Sequence, residues 1–203
     1  MNIKKIILAS QSPRRSQLLQ WAEIPFEVIV ANTDESYPEY LKPEEIAIHI
    51  AYNKAIAVKN NLTNSTTNAK DCTILAADTI VVLNNSIIGK PSNRDHAIQI
   101  LSELSGNIHS VITGVCILKD EKKIIFADET KVEFHELSGL QIEYYVDNYK
   151  PYDKAGAYAI QEWIGVTGIR SITGDFYNVM GLPVSRVVKE LGNLTGFSNL
   201  EGL

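Results

Sequence analysis

Apolar runs and polar breaks alternate along the chain in a way that predicts short strands followed by helices. The run Ile6–Leu8 has the pattern of a buried strand, and a polar turn follows it. Ser12 suits the N-cap position of a helix, and proline is favoured directly after such a cap. A helix is therefore predicted from Pro13 to about Ala22.

The rest of the pattern predicts further strands, helices and one loop. The predicted strands are Phe26 to Val30, Thr73 to Ala77, Ile80 to Leu83, Ile87 to Ile88, His109 to Leu118, Ile124 to Phe134, Ile169 to Thr173 and Tyr177 to Met180. The predicted helices begin at Pro43, run from Asn93 to Ser105, run from Ser138 to about Asp147, and run from Val184 to about Leu191, where Gly192 ends the last one. Asn60 to Asp71 is rich in Asn, Thr and Ser and is predicted as a loop. This order predicts an α/β protein with a mixed sheet flanked by helices.

Length and composition limit the classes of protein to which this chain can belong. The chain has 203 residues, which suits a single domain with two lobes, and a net charge of −5, which disfavours a broad nucleic-acid-binding face. Cys72 and Cys116 lie far apart in apolar runs and are predicted to be reduced thiols. No apolar stretch approaches the length of a membrane span or of a signal-peptide core. We expect a cytoplasmic protein that binds neither nucleic acid nor membrane.

Two arginines stand at the start of the first helix. Arg14 and Arg15 fall in its first turn, where the helix dipole is positive and acidic residues are favoured. Two guanidinium groups beside free backbone N–H groups can bind phosphate. They can equally be two solvated surface arginines, and this stretch alone leaves both interpretations open.

A lysine and an aspartate interrupt apolar patterns elsewhere. Ile46 and Ile50 lie four residues apart on the second helix, and the next position on that face is Lys54. Its ammonium must either extend to solvent or reach into a cleft. Asp78 lies between two core runs, where a carboxylate needs a partner charge, hydrogen bonds or a metal. Asp78 is therefore a candidate functional acid, with a structural role as the alternative.

The unusual polar residues form two chemical groups. The donors and cations are Ser10, Arg14, Arg15, Lys54 and Lys90, and the acids are Glu35, Asp78 and Asp153. Cations can hold a polyphosphate, carboxylates can hold a divalent ion, and one carboxylate can orient or deprotonate water. The sequence shows no Ser–His or Cys–His pair, no Walker-type loop and no G-x-G-x-x-G motif. Phosphoryl or nucleotidyl chemistry is therefore favoured over acyl transfer.

Five motifs in a fixed order carry a family resemblance. They are Leu8 to Arg15 (LASQSPRR), Ala77 to Thr79 (ADT), Gly89 to Pro91 (GKP), Asp153 to Gln161 (DKAGAYAIQ) and Gly181 to Pro183 (GLP). The chain resembles the Maf family of nucleoside triphosphate pyrophosphatases over about Ile6 to Leu191. The resemblance implies an inosine-triphosphatase-like fold, an elongated mixed sheet in one domain with a nucleotide-binding cleft between two lobes. It also implies a homodimer, a divalent ion (Mg²⁺ or Mn²⁺), and cleavage between the α- and β-phosphates of a nucleoside triphosphate.

The resemblance also assigns roles to individual residues. Asp78 matches the proton acceptor, and Glu35, with Asp78, matches the metal site. The positions that match base-preference residues are Arg14, Thr79 and Gln161, and those that match phosphate-binding residues are Ser10, Arg15, Lys54 and Lys90. Gln161 is typical of the branch that acts on dTTP and UTP, because an amide can pair with the O4 and N3–H edge of uracil or thymine.

Two alternatives remain beside this expectation. One is the same reaction on another base such as 7-methyl-GTP, whose branch typically carries a Lys-Ser-Glu-like run at this position. The residue after Gln161 bears on that choice, since the family usually has glycine there and this chain has Glu162 followed by Trp163. The other alternative is a non-catalytic regulator of cell division that only senses nucleotides.

Overall fold

A computed structural model describes residues 5–64 and 72–195 as strands and helices in alternation. The strands are β1 (Ile6–Leu8), β2 (Phe26–Val28), β3 (Thr73–Leu83), β4 (Ser86–Ile88), β5 (Ile108–Lys119), β6 (Lys122–Phe134) and β7 (Ile169–Thr173). The helices are α1 (Pro13–Trp21), α2 (Pro43–Asn64), α3 (Arg94–Leu104), α4 (Gly139–Tyr149), α5 (Trp163–Gly168), α6 (Phe176–Met180) and α7 (Val184–Thr195), with a 3₁₀ turn at Ala155–Ala157. No helix in this described part of the chain combines the length and apolarity needed to cross a membrane.

The strands form one mixed sheet. Its order is β2-β1-β3-β5-β6-β7, and β4 pairs with β3 beside that path. Strand β1 runs parallel to β2 and β3, whereas the β3–β4 and β6–β7 pairs are antiparallel. The predicted mixed sheet flanked by helices is confirmed.

Two sequence predictions around β3 have different outcomes. The predicted strands on either side of Asn84 and Asn85 are confirmed, and they pair as a tight hairpin in which both asparagines have positive φ (50° and 64°). The predicted break at Asp78 and Thr79 is wrong, because β3 continues through both residues as one strand. Asp78 therefore projects from regular, hydrogen-bonded backbone rather than from a loop.

Two predicted element boundaries and one predicted strand are also wrong. Helix α2 extends through 60–64, where the Thr63 hydroxyl donates to the Lys59 carbonyl one turn earlier and so satisfies its polar group within the helix. The remainder of the predicted loop, 65–71, lies outside the described residues. Tyr177–Met180 is helical, because the Asp175 carboxylate accepts from the Tyr177 N–H at 2.7 Å and starts a helix there. Helix α7 passes through Gly192, which a helix tolerates at a cost of about 1 kcal/mol.

The described residues divide into two compact units. The first unit comprises residues up to Asp78, Thr113–Asp128 and residues from Gly181 onward. The second comprises Thr79–Ile112 and Glu129–Met180. The expectation of a nucleotide-binding cleft between two lobes stays a prediction.

Small residues let α2 lie directly on the sheet in the first unit. Ala51 and Ala55 of α2 pack with Ala76 of β3 in one buried cluster. A Cβ added to Gly114 of β5 would lie 2.2 Å from the backbone carbon of Ala47, so only glycine fits there. This close contact fixes the face of α2 that carries Lys54. Cys116 belongs to the same cluster, and both cysteines are reduced thiols, as predicted.

A buried aromatic cluster forms the centre of the second unit. The His109 ring stacks on Phe134 with ring centres 5.4 Å apart, and its Nε2 is 2.7 Å from the Tyr158 hydroxyl. Among the described residues, no partner is placed within hydrogen-bonding distance of its Nδ1. His109 of β5 is thus packed against the rings of Phe134 and Tyr158.

Stability should depend on pH through His109. Burial lowers the pKa of His109 from 6.5 to about 4. Between these values the unfolded chain binds a proton that the folded chain does not. The contribution of His109 to the free energy of unfolding is therefore fully present above pH 6.5. It falls as the pH drops towards 4, by at most about 1.4 kcal/mol per pH unit. Urea unfolding of the wild type and of His109→Leu measures this contribution to the slope, which the variant should lack. His135→Gln, at an exposed strand end, should retain the slope, and an unchanged slope in His109→Leu would contradict the assignment.

Candidate active site

The turn from β1 into α1 is built around a buried arginine. Arg15 Nη1 donates to Ser10 Oγ at 3.0 Å, and Arg15 Nε donates to the Gly181 carbonyl at 2.8 Å. The Ser12 N–H also donates to Ser10 Oγ, at 3.2 Å. A hydroxyl has two acceptor lone pairs and one donor. With two donors already on its oxygen, Ser10 is left with its O–H proton, which suits an anionic oxygen.

The structure confirms the position of the predicted N-cap of α1 but not its capping hydrogen bond. Ser12 occupies the N-cap position, but within the described chain its hydroxyl makes no capping hydrogen bond to the helix. The start of α1 is therefore stabilised without a side-chain cap, and its first turn carries Arg14 and Arg15 with no acid. That arrangement supports anion binding at this helix start.

Arg15 carries its charge inside the protein. Its residue is only 8% exposed, and burial lowers the pKa of its guanidinium, while the Asp78 charge opposes that shift. Arginine stays protonated in proteins, so a buried positive charge is maintained beside Ser10. This position excludes the interpretation of Arg15 as a solvated surface arginine.

The register of β1 and β3 places Asp78 close to the end of β1. The two strands are parallel, with Leu8 opposite Leu75, and the Ala9 N–H donates to the Leu75 carbonyl at 2.8 Å. Ser10 is two residues beyond Leu8, where β1 has ended, and Asp78 is three residues beyond Leu75, within the longer strand β3. Open α/β sheets commonly bind ligands beyond the carboxyl ends of their strands, as at the end of β1.

Lys54 contacts two carboxylates, one of them on β3. Its Nζ lies 2.7 Å from Asp78 Oδ1 and 2.8 Å from Glu35 Oε1. The side chains of Lys54 and Asp78 are 18% and 15% exposed, so this ion pair is largely removed from water. Lys54 thus turns towards acids of its own unit rather than extending to solvent. The partner that the sequence required for Asp78 is this ammonium group.

The same two carboxylates are the candidates for holding a divalent ion. Among residues 5–64 and 72–195, no group of three or more His, Cys, Asp or Glu side chains is placed to hold a metal. Mg²⁺ is commonly bound through one or two carboxylates together with substrate phosphates. Glu35 and Asp78 already direct oxygens towards one cation, and this donor set fits such an ion.

Two other motifs meet within the second unit. The Gly156 N–H donates to the Gly89 carbonyl at 3.2 Å, so the Gly89–Pro91 segment lies against the 3₁₀ turn. Lys90 is exposed in that segment. Gln161 is also exposed and directly follows the buried residues Ala159 and Ile160.

The predicted site residues therefore fall into two sets. The first unit contains Ser10, Arg14, Arg15, Glu35, Lys54 and Asp78, and the second contains Thr79, Lys90 and Gln161. Within the first unit, contacts join Ser10 to Arg15 and join Lys54 to both acids. The individual roles that the resemblance assigns stay predictions.

Sequence reasoning missed several groups that hold these residues in place. The Gly181 carbonyl fixes Arg15, and the signal for it was a glycine in a short motif, which the structure places at φ 117°. The 3₁₀ turn at Ala155–Ala157 and helix α5 were also missed, as were contacts among Tyr145, Lys154 and Glu162. Glu162 stood out only as a departure from the usual glycine.

Comparison with known proteins identifies the family. A family model described as "Maf-like protein" matches residues 5–194. The chain belongs to the Maf family. The match spans both compact units and includes the Ser10–Arg15 turn and the Lys54–Asp78 pair.

Relatives in the Maf family are similar over nearly the whole chain. A protein of Cytophaga hutchinsonii named dTTP/UTP pyrophosphatase is 50% identical over 92% of this chain and 82% of its own length. Proteins of the same name from Parabacteroides distasonis and Bacillus cereus are 49% and 47% identical, over 94% and 93% of this chain and 97% and 95% of their own lengths.

Proposed function

We propose that this protein hydrolyses dTTP and UTP to the nucleoside monophosphate and pyrophosphate. The observation that carries the proposal is the ion-paired group beside β3, in which Lys54 contacts both Asp78 and Glu35. The names of the Maf relatives support the choice of substrates.

The cations of the first unit would bind the triphosphate. Arg15 presents a buried, permanently charged guanidinium, and Ser10 beside it retains an O–H donor. Lys54 would add an ammonium from α2, and the resemblance adds Lys90. Charge-assisted hydrogen bonds of this type are the strong ones in anion recognition. We therefore assign these residues to phosphate binding.

Glu35 and Asp78 would hold a divalent ion, Mg²⁺ or Mn²⁺. When bound, such an ion neutralises charge on the triphosphate and orients it for attack. The support for this assignment is that both carboxylates approach the same cation within 2.8 Å.

Asp78 would act as the general base. Its carboxylate orients a water molecule and accepts a proton as the water oxygen attacks the α-phosphorus. The bond between the α-phosphorus and the bridging oxygen then breaks, and its electron pair leaves with pyrophosphate. Lys54 holds the Asp78 side chain at Oδ1, so the base is positioned before substrate binds.

A nucleotide panel tests this function. Pyrophosphate release is measured with dTTP, UTP, CTP, ATP, GTP and 7-methyl-GTP, each with Mg²⁺ and with Mn²⁺. The proposal predicts highest kcat/KM for dTTP and UTP. A preference for 7-methyl-GTP would contradict the base assignment, and nucleotide binding without pyrophosphate release under either metal would contradict the enzymatic activity.

Glu35→Gln should weaken the response to metal. The amide keeps the shape of the side chain but removes one negative charge, and we expect the Mg²⁺ concentration for half-maximal activity to rise by about 10–100-fold. Titration of Mg²⁺ at saturating UTP measures this shift. Glu44→Gln, at an exposed position in the first turn of α2, is the control and should respond like the wild type. An unchanged Mg²⁺ response in Glu35→Gln would remove Glu35 from the metal site.

Two further parts of the proposal concern the state of the protein in the cell. We assign it to the cytoplasm, where its nucleotide substrates occur, and the reduced thiols of Cys72 and Cys116 support a reducing compartment. The family resemblance supports a homodimer. Light scattering of the purified protein should give twice the chain mass, and a single-chain mass would contradict the dimer.

A further inference from the structure

The buried hydroxyl of Tyr145 contacts the chain on both sides of Gln161. It accepts a hydrogen bond from the Ala159 N–H at 3.1 Å, and it donates to Glu162 Oε2. Tyr145 belongs to α4 and its side chain is fully buried. One phenol hydroxyl thus forms hydrogen bonds with residues 159 and 162, on either side of Ile160 and Gln161.

The carboxylate of Glu162 has a second interaction. Its Oε1 lies 3.6 Å from the ammonium of Lys154, whose side chain is 10% exposed. Lys154 Nζ also lies 2.8 Å from Asp153 Oδ1. A chain of polar contacts therefore connects α4, Glu162 and the start of the Asp153–Gln161 motif.

Packing and capping make both ends of this connection rigid. A Cβ added to Gly165 of α5 would lie 1.8 Å from the Ile160 carbonyl oxygen, so α5 lies directly against the residue before Gln161. Helix α4 begins with a capping box, in which Ser138 and Gln141 satisfy each other's backbone N–H groups. Tyr145 therefore anchors the Gln161 segment to a well-defined helix.

We infer that Tyr145 and Glu162 are positioning residues that fix the Gln161 segment and so set the choice between uracil and cytosine. This inference rests on the proposed function and on the base-preference role that the family resemblance implies for Gln161. Uracil presents an O4 acceptor and an N3–H donor, and cytosine presents the reverse pattern. A side-chain amide that rotates by 180° exchanges the positions of its donor and its acceptor, so it can form hydrogen bonds with either base. Discrimination therefore requires that the segment hold the amide in one orientation.

The test is the ratio of kcat/KM for UTP to that for CTP. Tyr145→Phe and Glu162→Ala should each lower this ratio about tenfold, the effect of losing one charge-assisted hydrogen bond. The double variant should show no larger loss than the greater single one, because both changes break the same link. Glu162→Gln keeps an oxygen acceptor for the phenol and should restore most of the ratio. Tyr149→Phe, which removes a hydroxyl one turn later in α4, is the control.

The outcomes separate this inference from the proposed function. A purely structural role for the pair would lower thermal stability, or kcat on every nucleotide alike, and leave the ratio unchanged. An unchanged ratio in Tyr145→Phe and Glu162→Ala, together with a reduced ratio in Gln161→Ala, overturns the inference alone. An unchanged ratio in Gln161→Ala removes the base contact of Gln161 and so overturns the inference, while the proposed hydrolysis of UTP stands. Wild-type protein that releases no pyrophosphate from UTP overturns the proposed function itself.

Discussion

Asp78→Asn is expected to lower kcat for pyrophosphate release from UTP by about 10²–10⁴-fold, the usual contribution of a general base. The amide has the same shape as the carboxylate and retains an oxygen for the Lys54 ammonium, which lies 2.7 Å from Oδ1 in the wild type. It cannot accept a proton from water. Steady-state kinetics measures the loss, and equilibrium binding of UTP should remain measurable because the phosphate-binding cations are unchanged.

The matched control for that variant is Asp120→Asn. Asp120 is exposed in the turn between β5 and β6 and has positive φ (51°), which asparagine tolerates well. The control changes the same charge on the same unit and should leave kcat unchanged. Hydrolysis by Asp78→Asn near the wild-type rate would remove Asp78 from the role of base.

Lys54→Met is expected to lower kcat/KM for UTP by about 10²–10³-fold, the cost of removing one preorganised charged donor. Methionine keeps an unbranched side chain on the apolar face of α2. The variant loses the ammonium that lies within 2.8 Å of both Glu35 and Asp78, so two carboxylates face each other without it. A phosphate contact is lost as well. Kinetics over a range of UTP concentrations separates the effects on KM and kcat.

Lys59→Met is the control for the lysine variant. Lys59 lies on the same helix, and its ammonium donates to the Asp120 carbonyl at 3.0 Å. We expect its kcat/KM to match that of the wild type. If Lys54→Met also retains wild-type kcat/KM, then Lys54 serves only to stabilise the fold, and thermal melting would show the corresponding loss.

The candidate residues that the structure brings into contact share a physical conflict with their local sequence. Asp78 interrupted two apolar runs and Lys54 continued an apolar stripe, and the structure pairs them at 2.7 Å. Arg15 stood at the unfavourable end of a helix dipole, and the structure buries it beside Ser10. A charge that its local pattern disfavours needs a tertiary partner, and that requirement is visible in sequence.

The groups that sequence did not predict depend on contacts distant along the chain. The Gly181 carbonyl that fixes Arg15 is a backbone atom, and every residue type has one. The link from Tyr145 to Glu162 arises because α4 and α5 bring the two residues together, and neither has a distinctive local pattern. Tyr177–Met180 is predicted as a strand, whereas the Asp175 side chain starts a helix there.

The most direct test of the central claim is hydrolysis of UTP in H₂¹⁸O with mass analysis of both products. Attack of water on the α-phosphorus places one ¹⁸O atom in UMP and leaves pyrophosphate unlabelled, and this is the result that we predict. Label in pyrophosphate, or release of orthophosphate in its place, would show attack at another phosphorus and would contradict the proposed reaction.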